Sequence, residues 1–131
     1  MVERVCLDTD FLIDFLRSKK ESVDFVKENE SAKEFATTYI NIFELYFGAF
    51  KSRDSNANIK AVEQIISRLN ILNFSDDSAR LAGKMLANLE KAGKLIDYRD
   101  LFIGSIALTN GFAIKTNNIK HFNRIRDLKV I

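Results

Sequence analysis

Short apolar segments with the look of buried strands alternate with longer helical stretches along this chain, and that alternation leaves few folds open. Val2 to Leu7, Glu34 to Thr38, Ile71 to Phe74 and Phe112 to Lys115 read as strands, bounded by polar residues. Between them, Asp10 to Arg17 carries Phe11, Leu12, Phe15 and Leu16 at helical spacing, and Glu21 to Glu28 reads as a second short helix. Asn41 to Lys51 is helical and apolar nearly all round, which predicts burial on more than one side, against the core or a partner subunit. Ile59 to Leu69 is amphipathic. Ser75 or Asp76 caps a helix running to about Lys91 before Gly93, and Asp100 to Asn110 is stopped by Gly111. A short turn runs through Phe122, and Leu128 to Ile131 is a candidate edge strand. Strands alternating with helices imply a parallel sheet covered on both faces. The expected fold class is α/β: a three-layer α/β/α sandwich around a parallel sheet of four to five strands, with residues 1–131 as one domain.

An acidic residue stands at the end of each of three apolar segments. Asp8 closes the first strand, Glu44 lies in Asn41-Ile-Phe-Glu44-Leu, and Asp100 opens Asp100-Leu-Phe-Ile-Gly-Ser-Ile-Ala. Thr116-Asn117-Asn118 closes the strand that ends at Lys115. Right-handed crossovers place parallel strand ends on one rim, where α/β folds bind ligands. Carboxylates gathered there repel one another unless a divalent cation neutralises them. Oxygen ligands select Mg²⁺ or Mn²⁺. The pattern points to a metal-dependent phosphodiester hydrolase.

Each acid also has a plainer explanation. Asp8 or Asp10 can cap the Phe11 helix. Asn41 to Glu44 and Asp97 to Asp100 both have the spacing of a capping box, and a carboxylate held at a helix start is well oriented to ligate a metal too. His121 is the only histidine and Cys6 the only cysteine, so a zinc site of ordinary composition is excluded, as is an internal disulfide. His121 is left a supporting role such as a phosphate contact, and Cys6, in an apolar strand, reads as a small hydrophobe. Asp8-Thr9-Asp10 superficially matches an aspartyl-phosphate motif, but Leu12 stands where that motif needs Thr or Ser. The third strand lacks the phosphoacceptor Asp of a receiver domain, and no glycine-rich phosphate loop is present.

Net charge is +2, from 20 basic and 18 acidic side chains, too little by itself to argue nucleic-acid binding. The basic residues cluster, however, and one group (Lys115, Lys120, Arg124 and Arg126) flanks Thr116-Asn117-Asn118. No apolar run approaches the ~18 residues of a membrane span. Met1-Val2-Glu3-Arg4 leads straight into a strand without a signal-peptide pattern, so a cytoplasmic protein without membrane attachment is expected.

The same residues carry a family resemblance. Leu7-Asp8-Thr9-Asp10-Phe11-Leu12-Ile13 resembles the opening box of PIN domains, in particular VapC-like ribonuclease toxins of toxin–antitoxin modules. Asn41-Ile-Phe-Glu44-Leu-Tyr-Phe-Gly48, Asp100-Leu-Phe-Ile-Gly-Ser-Ile-Ala107 and Thr116-Asn-Asn-Ile-Lys-His-Phe122 resemble the three that follow, in order and across almost the full length. The resemblance implies a Mg²⁺- or Mn²⁺-dependent endoribonuclease with Asp8, Glu44 and Asp100 as metal-binding acids. It implies Asn118 as the fourth catalytic position, where the family often has Asp, or an acid at the position of His121. Asp97 or Asp10 can supply the missing charge. Thr9 and Thr116 would orient ligands or phosphate; Lys115, Lys120, His121 and Arg124 would contact phosphate. Gly104-Ser105 in place of Ala-Ala reads as conservative. The implied partners are RNA, a VapB-like antitoxin, and a second copy in a homodimer or higher assembly. The non-acidic Asn118 keeps a second possibility open: a catalytically weak PIN-like module that binds RNA or a partner.

Overall fold

A computed structural model describes residues 3–131; the part of the first predicted strand at Val2 lies outside the described residues. The elements in chain order are β1 (Glu3–Leu7), α1 (Thr9–Leu16), α2 (Lys20–Asn29), β2 (Lys33–Thr38), α3 (Tyr39–Phe50), α4 (Ser55–Ile66), β3 (Asn70–Leu72), α5 (Asp76–Lys91), α6 (Tyr98–Thr109), β4 (Ala113–Lys115) and α7 (Ile119–Phe122). The four strands form one parallel sheet in the order β3-β2-β1-β4. The expected edge strand near the C-terminus pairs alongside β4 through a single parallel bridge, Ile114 to Val130.

The central strand sorts its side chains by alternation. Val5 and Leu7 enter a core with Phe11 and Leu12 of α1, Leu45 and Ala49 of α3, and Val62 and Ile65 of α4. Cys6 points the other way, into a core with Ile103 and Ala107 of α6, Ile114 of β4 and Phe122 of α7. Two apolar layers on opposite faces of one sheet make the three-layer α/β/α sandwich expected from the sequence. Among the described residues no helix is long and apolar enough to cross a membrane.

Helix ends follow local chemistry. Ser75 accepts from the Ser78 amide at the start of α5, and Asp54 does the same for Ala57 at the start of α4. The polar first turn of α4 offers no apolar period, so the helix begins four residues before Ile59, where the hydrophobic pattern starts. Gly111 ends α6 in a left-handed conformation (φ 75°), with the Phe112 amide bonded to the Ala107 carbonyl and its own to Leu108. Gly93 ends α5 in the same way.

Two expectations need correction. Helix α3 is not buried on several sides within the chain: Ile42, Leu45 and Ala49 are buried, whereas Tyr39, Phe43, Phe47 and Phe50 are all more than half exposed. Periodicity gave no warning, because apolar residues occupy both faces: aliphatic on the buried one, aromatic on the exposed one. Nor is Gly104 a neutral replacement for alanine. A Cβ there would fall 2.1 Å from Ile125 Cδ1, so Gly104 and the Ile125 side chain fit as a pair. Its neighbour Ser105 is fully buried and its hydroxyl lacks a hydrogen-bond partner.

Candidate active site

All four strands run in one direction, so the residues that follow them share a rim. Asp8 directly follows β1, α3 starts directly after β2, and Thr116 to Asn118 follow β4. The loop after β4 is tied to the start of α1. The Asp8 amide donates to the Lys115 carbonyl (2.9 Å), and the Asn117 amide donates to the Asp10 carboxylate (3.1 Å).

Asp8 is buried, 6% exposed, and stands at the N-cap position of α1 without making a capping bond. Its two oxygens go elsewhere. Thr116 Oγ1 donates to Oδ2 at 2.7 Å, and Asn41 Nδ2 donates to Oδ1 at 3.1 Å. Burial, then the nearby Asp10 and Asp100 charges, push the Asp8 pKa up to about 7 despite the bond from Thr116. Asp10 is also held above the ordinary carboxylate range, chiefly by burial.

Glu44 is a half-buried acid one turn into α3. Burial raises its pKa, against the opposing pull of a 2.7 Å bond from Thr9 Oγ1 and the Arg99 guanidinium at 3.6 Å. The capping box assigned to Asn41 and Glu44 is displaced by one turn. Thr38 is the N-cap of α3 and Asn41 is its N3 partner, with bonds in both directions. Glu44 is thereby released from any capping duty. Of the second predicted capping box only the N-cap half is present: Asp97 accepts from the Arg99 amide at the start of α6, and the Arg99 side chain holds its carboxyl below the usual range, whereas the Asp100 carboxylate meets His121 instead. Asp100 lies in the first turn of α6, mostly buried, with Oδ2 at 3.0 Å from His121 Nδ1. His121 Nδ1 is also 2.8 Å from the Asn118 amide, and the Asn118 backbone amide donates to Thr116 Oγ1 (2.9 Å).

The basic candidates are more scattered. Lys115 carries its ammonium over the Phe25 ring, 4.9 Å from the centroid. Arg124 donates to the Leu95 carbonyl, and Lys120 is exposed. Cys6 is fully buried, and burial raises its thiol pKa far out of reach of nucleophilic use.

Asn41 is the residue that sequence reasoning undervalued. It is fully buried and uses every polar hydrogen and both lone-pair directions. Its amide donates to Asp8 and to Thr9 Oγ1 (2.9 Å), while its carbonyl accepts from the Thr38 amide and hydroxyl. Thr9 passes the connection on to Glu44, so Asp8 and Glu44 are linked through two neutral side chains. The signal was present, a lone amide in an apolar helix, but cap spacing explained it locally. The pairing of Arg99 with Glu44 spans two helices and leaves no local trace in the sequence.

These groups fit a hard cation by donor chemistry. The charged donors are carboxylate oxygens, and their pKa values are raised in part by one another, a repulsion that a bound divalent ion would relieve. Spacing is less closed. Among the described residues no three Asp, Glu, His or Cys side chains stand close enough to hold a single ion. Glu44 is engaged by Thr9 and Arg99, and Asp100 by His121.

Comparison with known proteins agrees with this architecture. A family model described as PIN domain matches residues 5–128. A ribonuclease VapC2 of Haemophilus influenzae is 32% identical over 123 residues, covering 94% of this chain and 92% of that protein. A tRNA(fMet)-specific endonuclease VapC of Salmonella typhimurium is 30% identical over 124 residues, covering 95% and 93%. Among solved structures, VapBC2 of Rickettsia felis bound to a promoter DNA fragment superposes with a TM-score of 0.91 at 27% identity, covering 98% of this chain and 97% of that one. DNA-bound VapBC of Salmonella typhimurium gives 0.89 at 28% identity, covering 100% and 98%.

Proposed function

The chain belongs to the PIN-domain family, in its VapC-like branch, and from that premise we propose that it is a metal-dependent endoribonuclease, the toxin of a toxin–antitoxin pair. The observation that carries this reading is that Asp8, Glu44, Asp100 and Asn118 come from four separate segments into one bonded network at the sheet rim: Thr9, Asn41 and Thr116 join Asp8, Glu44 and Asn118, and His121 joins Asp100 to Asn118.

In the proposed mechanism Asp8, Glu44 and Asp100 would hold Mg²⁺ or Mn²⁺, with Asn118 adding a neutral amide and Asp10 and Asp97 adding nearby negative charge. Such a cation would neutralise charge at the scissile phosphate and make water there more acidic. The chain's own residues do the positioning. Thr116 and Asn41 fix both oxygens of Asp8, and burial keeps that carboxylate poorly solvated, so its charge is spent on a ligand rather than on water. Thr9 aims Glu44. Lys115, Lys120 and Arg124 contribute positive charge for the RNA backbone, which positions the strand without reading its sequence.

The partners we propose are RNA and a VapB-like antitoxin, within a homodimer or higher assembly. The similar solved chains are VapBC complexes, and the exposed Tyr39, Phe43, Phe47 and Phe50 of α3 offer an apolar face for such contact. A cytoplasmic location and a single nuclease unit over residues 1–131 belong to the same proposal. The second reading, a catalytically weak binding module, draws on the neutral Asn118 and the unclosed spacing of the carboxylates.

The test is cleavage of total RNA and of isolated tRNA by antitoxin-free protein, with Mg²⁺, with Mn²⁺ and with chelator. Discrete metal-dependent fragments, absent for Asp8→Asn, are the expected result. Intact RNA with metal-loaded, folded protein would favour the binding module.

A further inference from the structure

We propose that Arg99 holds the scissile phosphate of the RNA substrate, and that its contact with Glu44 is the resting position it leaves to do so. The proposal rests on the nuclease reading above and gives a role to a residue which that reading leaves unused.

The start of α6 and the rim beside it are crowded with negative charge. Asp8, Asp10, Glu44, Asp97 and Asp100 repel an approaching phosphodiester. Among the described residues, Arg99 is the one lysine or arginine in an ion pair with any of these five. The basic residues that flank Thr116 to Asn118 in sequence do not serve these acids. Lys115 lies over the Phe25 ring, and Arg124 donates to the Leu95 carbonyl. Positive charge at the acids therefore comes from the first turn of α6, not from the segment after β4.

The contacts of Arg99 suit a ligand that arrives better than a fixed ion pair. Asp97 holds one edge of the residue: it accepts from the Arg99 backbone amide at 2.8 Å, from Nε at 3.3 Å and from Nη2 at 3.4 Å. That grip folds the guanidinium over its own helix cap and aims it across at α3. The remaining nitrogen, Nη1, lies 3.6 Å from Glu44 Oε2. This is well beyond the about 2.8 Å of a charge-assisted hydrogen bond. Glu44 is held instead through its other oxygen, Oε1, by Thr9 at 2.7 Å. The contact between Nη1 and Glu44 is thus loose, and it can be given up while Asp97 keeps the guanidinium in place. The Arg99 side chain is 54% exposed, so Nη1 is within reach of a polyanion.

A phosphate oxygen that takes the place of Glu44 Oε2 meets a planar donor that is charged at every working pH. Attack on the phosphodiester builds negative charge on its non-bridging oxygens, and a preorganised guanidinium stabilises that charge. Lysine is a poor substitute. It has one nitrogen, and cannot be held by Asp97 on one edge while donating to phosphate from another.

Arg99→Ala and Arg99→Lys are compared with wild type in three measurements: RNA cleavage at saturating Mn²⁺, Mn²⁺ affinity by electron paramagnetic resonance, and RNA affinity in chelator across a salt series. Arg99→Ala should lower cleavage about a hundredfold without weakening Mn²⁺ binding. Arg99→Lys should regain less than about tenfold of that loss. Free guanidinium at millimolar concentration should restore part of the rate of Arg99→Ala. The slope of log affinity against log salt should shrink by about one in Arg99→Ala. Cleavage and Mn²⁺ binding that fall together would overturn the proposal, because Arg99 would then only orient Glu44. Cleavage unchanged in Arg99→Ala would overturn it too and leave the nuclease standing. If wild type cleaves no RNA, the nuclease reading fails and the salt series decides: an unchanged slope overturns the phosphate contact, and a reduced slope retains it as an RNA-binding contact.

Discussion

Two groups of carboxylates share the rim and are held in opposite ways. Asp8 sits on the central strand, buried, with each oxygen fixed by a neutral donor from another segment. Glu44 and Asp100 sit on helices, are partly exposed, and face side chains that compete for them: Arg99 for Glu44 and His121 for Asp100. The contrast separates an anchor from a pair of jaws. The anchor is expensive to charge and cannot move without disturbing β1, β4 and α3 together. On the proposed reading, the jaws would exchange a protein partner for an ion at little cost to the fold, and such a centre would keep one ligand preorganised while the others close.

The largest expected effect falls on the anchor's chemistry. Asp8→Asn keeps the side-chain shape but removes the charge, and RNA cleavage should fall by roughly 10³-fold, the scale of losing one preorganised electrostatic group. An equal loss for Asp8→Asn and Glu44→Gln would erase the distinction between anchor and jaw.

Next comes the cost of charging Asp8. Its pKa is about 7 in the fold against 3.8 for an ordinary aspartate. Between those values the native state binds more protons than the unfolded chain, so Asp8's contribution to the stability of metal-free protein falls as pH rises from about 4 to about 7 and levels off above that. The penalty on Asp8 at pH 8 is on the order of 4 kcal/mol. Denaturant midpoints in chelator from pH 5 to 8 should show this slope for wild type and a much flatter one for Asp8→Asn. A slope that survives in Asp8→Asn would assign it to other acids.

Loosening the anchor's support is a smaller intervention. Asn41→Ala removes the N3 partner of Thr38 and one donor to Asp8, and should cost about 2 kcal/mol in chemical denaturation. The smallest effect belongs to the jaws. Arg99 is more than half exposed, so Arg99→Ala should change stability by less than about 0.5 kcal/mol. It should also tighten Mn²⁺ binding modestly, by no more than about fivefold, because Glu44 loses a competitor. Weaker Mn²⁺ binding in Arg99→Ala would mean that Arg99 orients Glu44 rather than competing for it.

Much of the fold was legible because its signals are local. Strand β1 ends in the buried apolar run Val5-Cys6-Leu7, and Gly93 and Gly111 end their helices where the pattern placed them. The beginnings of α3, α4 and α6 were less legible. Their first turns are capped by Thr38, Asp54 and Asp97 and carry polar or exposed residues, so apolar spacing starts late.

The sequence by itself determined that acids would stand at one rim. Strand segments alternating with helices force parallel strands, parallel strands put their C-terminal ends together, and Asp8 and Thr116 follow two of those ends. Only the tertiary structure decided what each acid touches. That Asn41 serves Asp8, that Arg99 opposes Glu44 and that His121 meets Asp100 all depend on how α3, α6 and α7 are rotated and seated against the sheet. That seating is set by side-chain volume in the two cores, as at Gly104 and Ile125. It is a sum of many contacts between residues far apart in the chain, and no periodicity or spacing in the sequence records it.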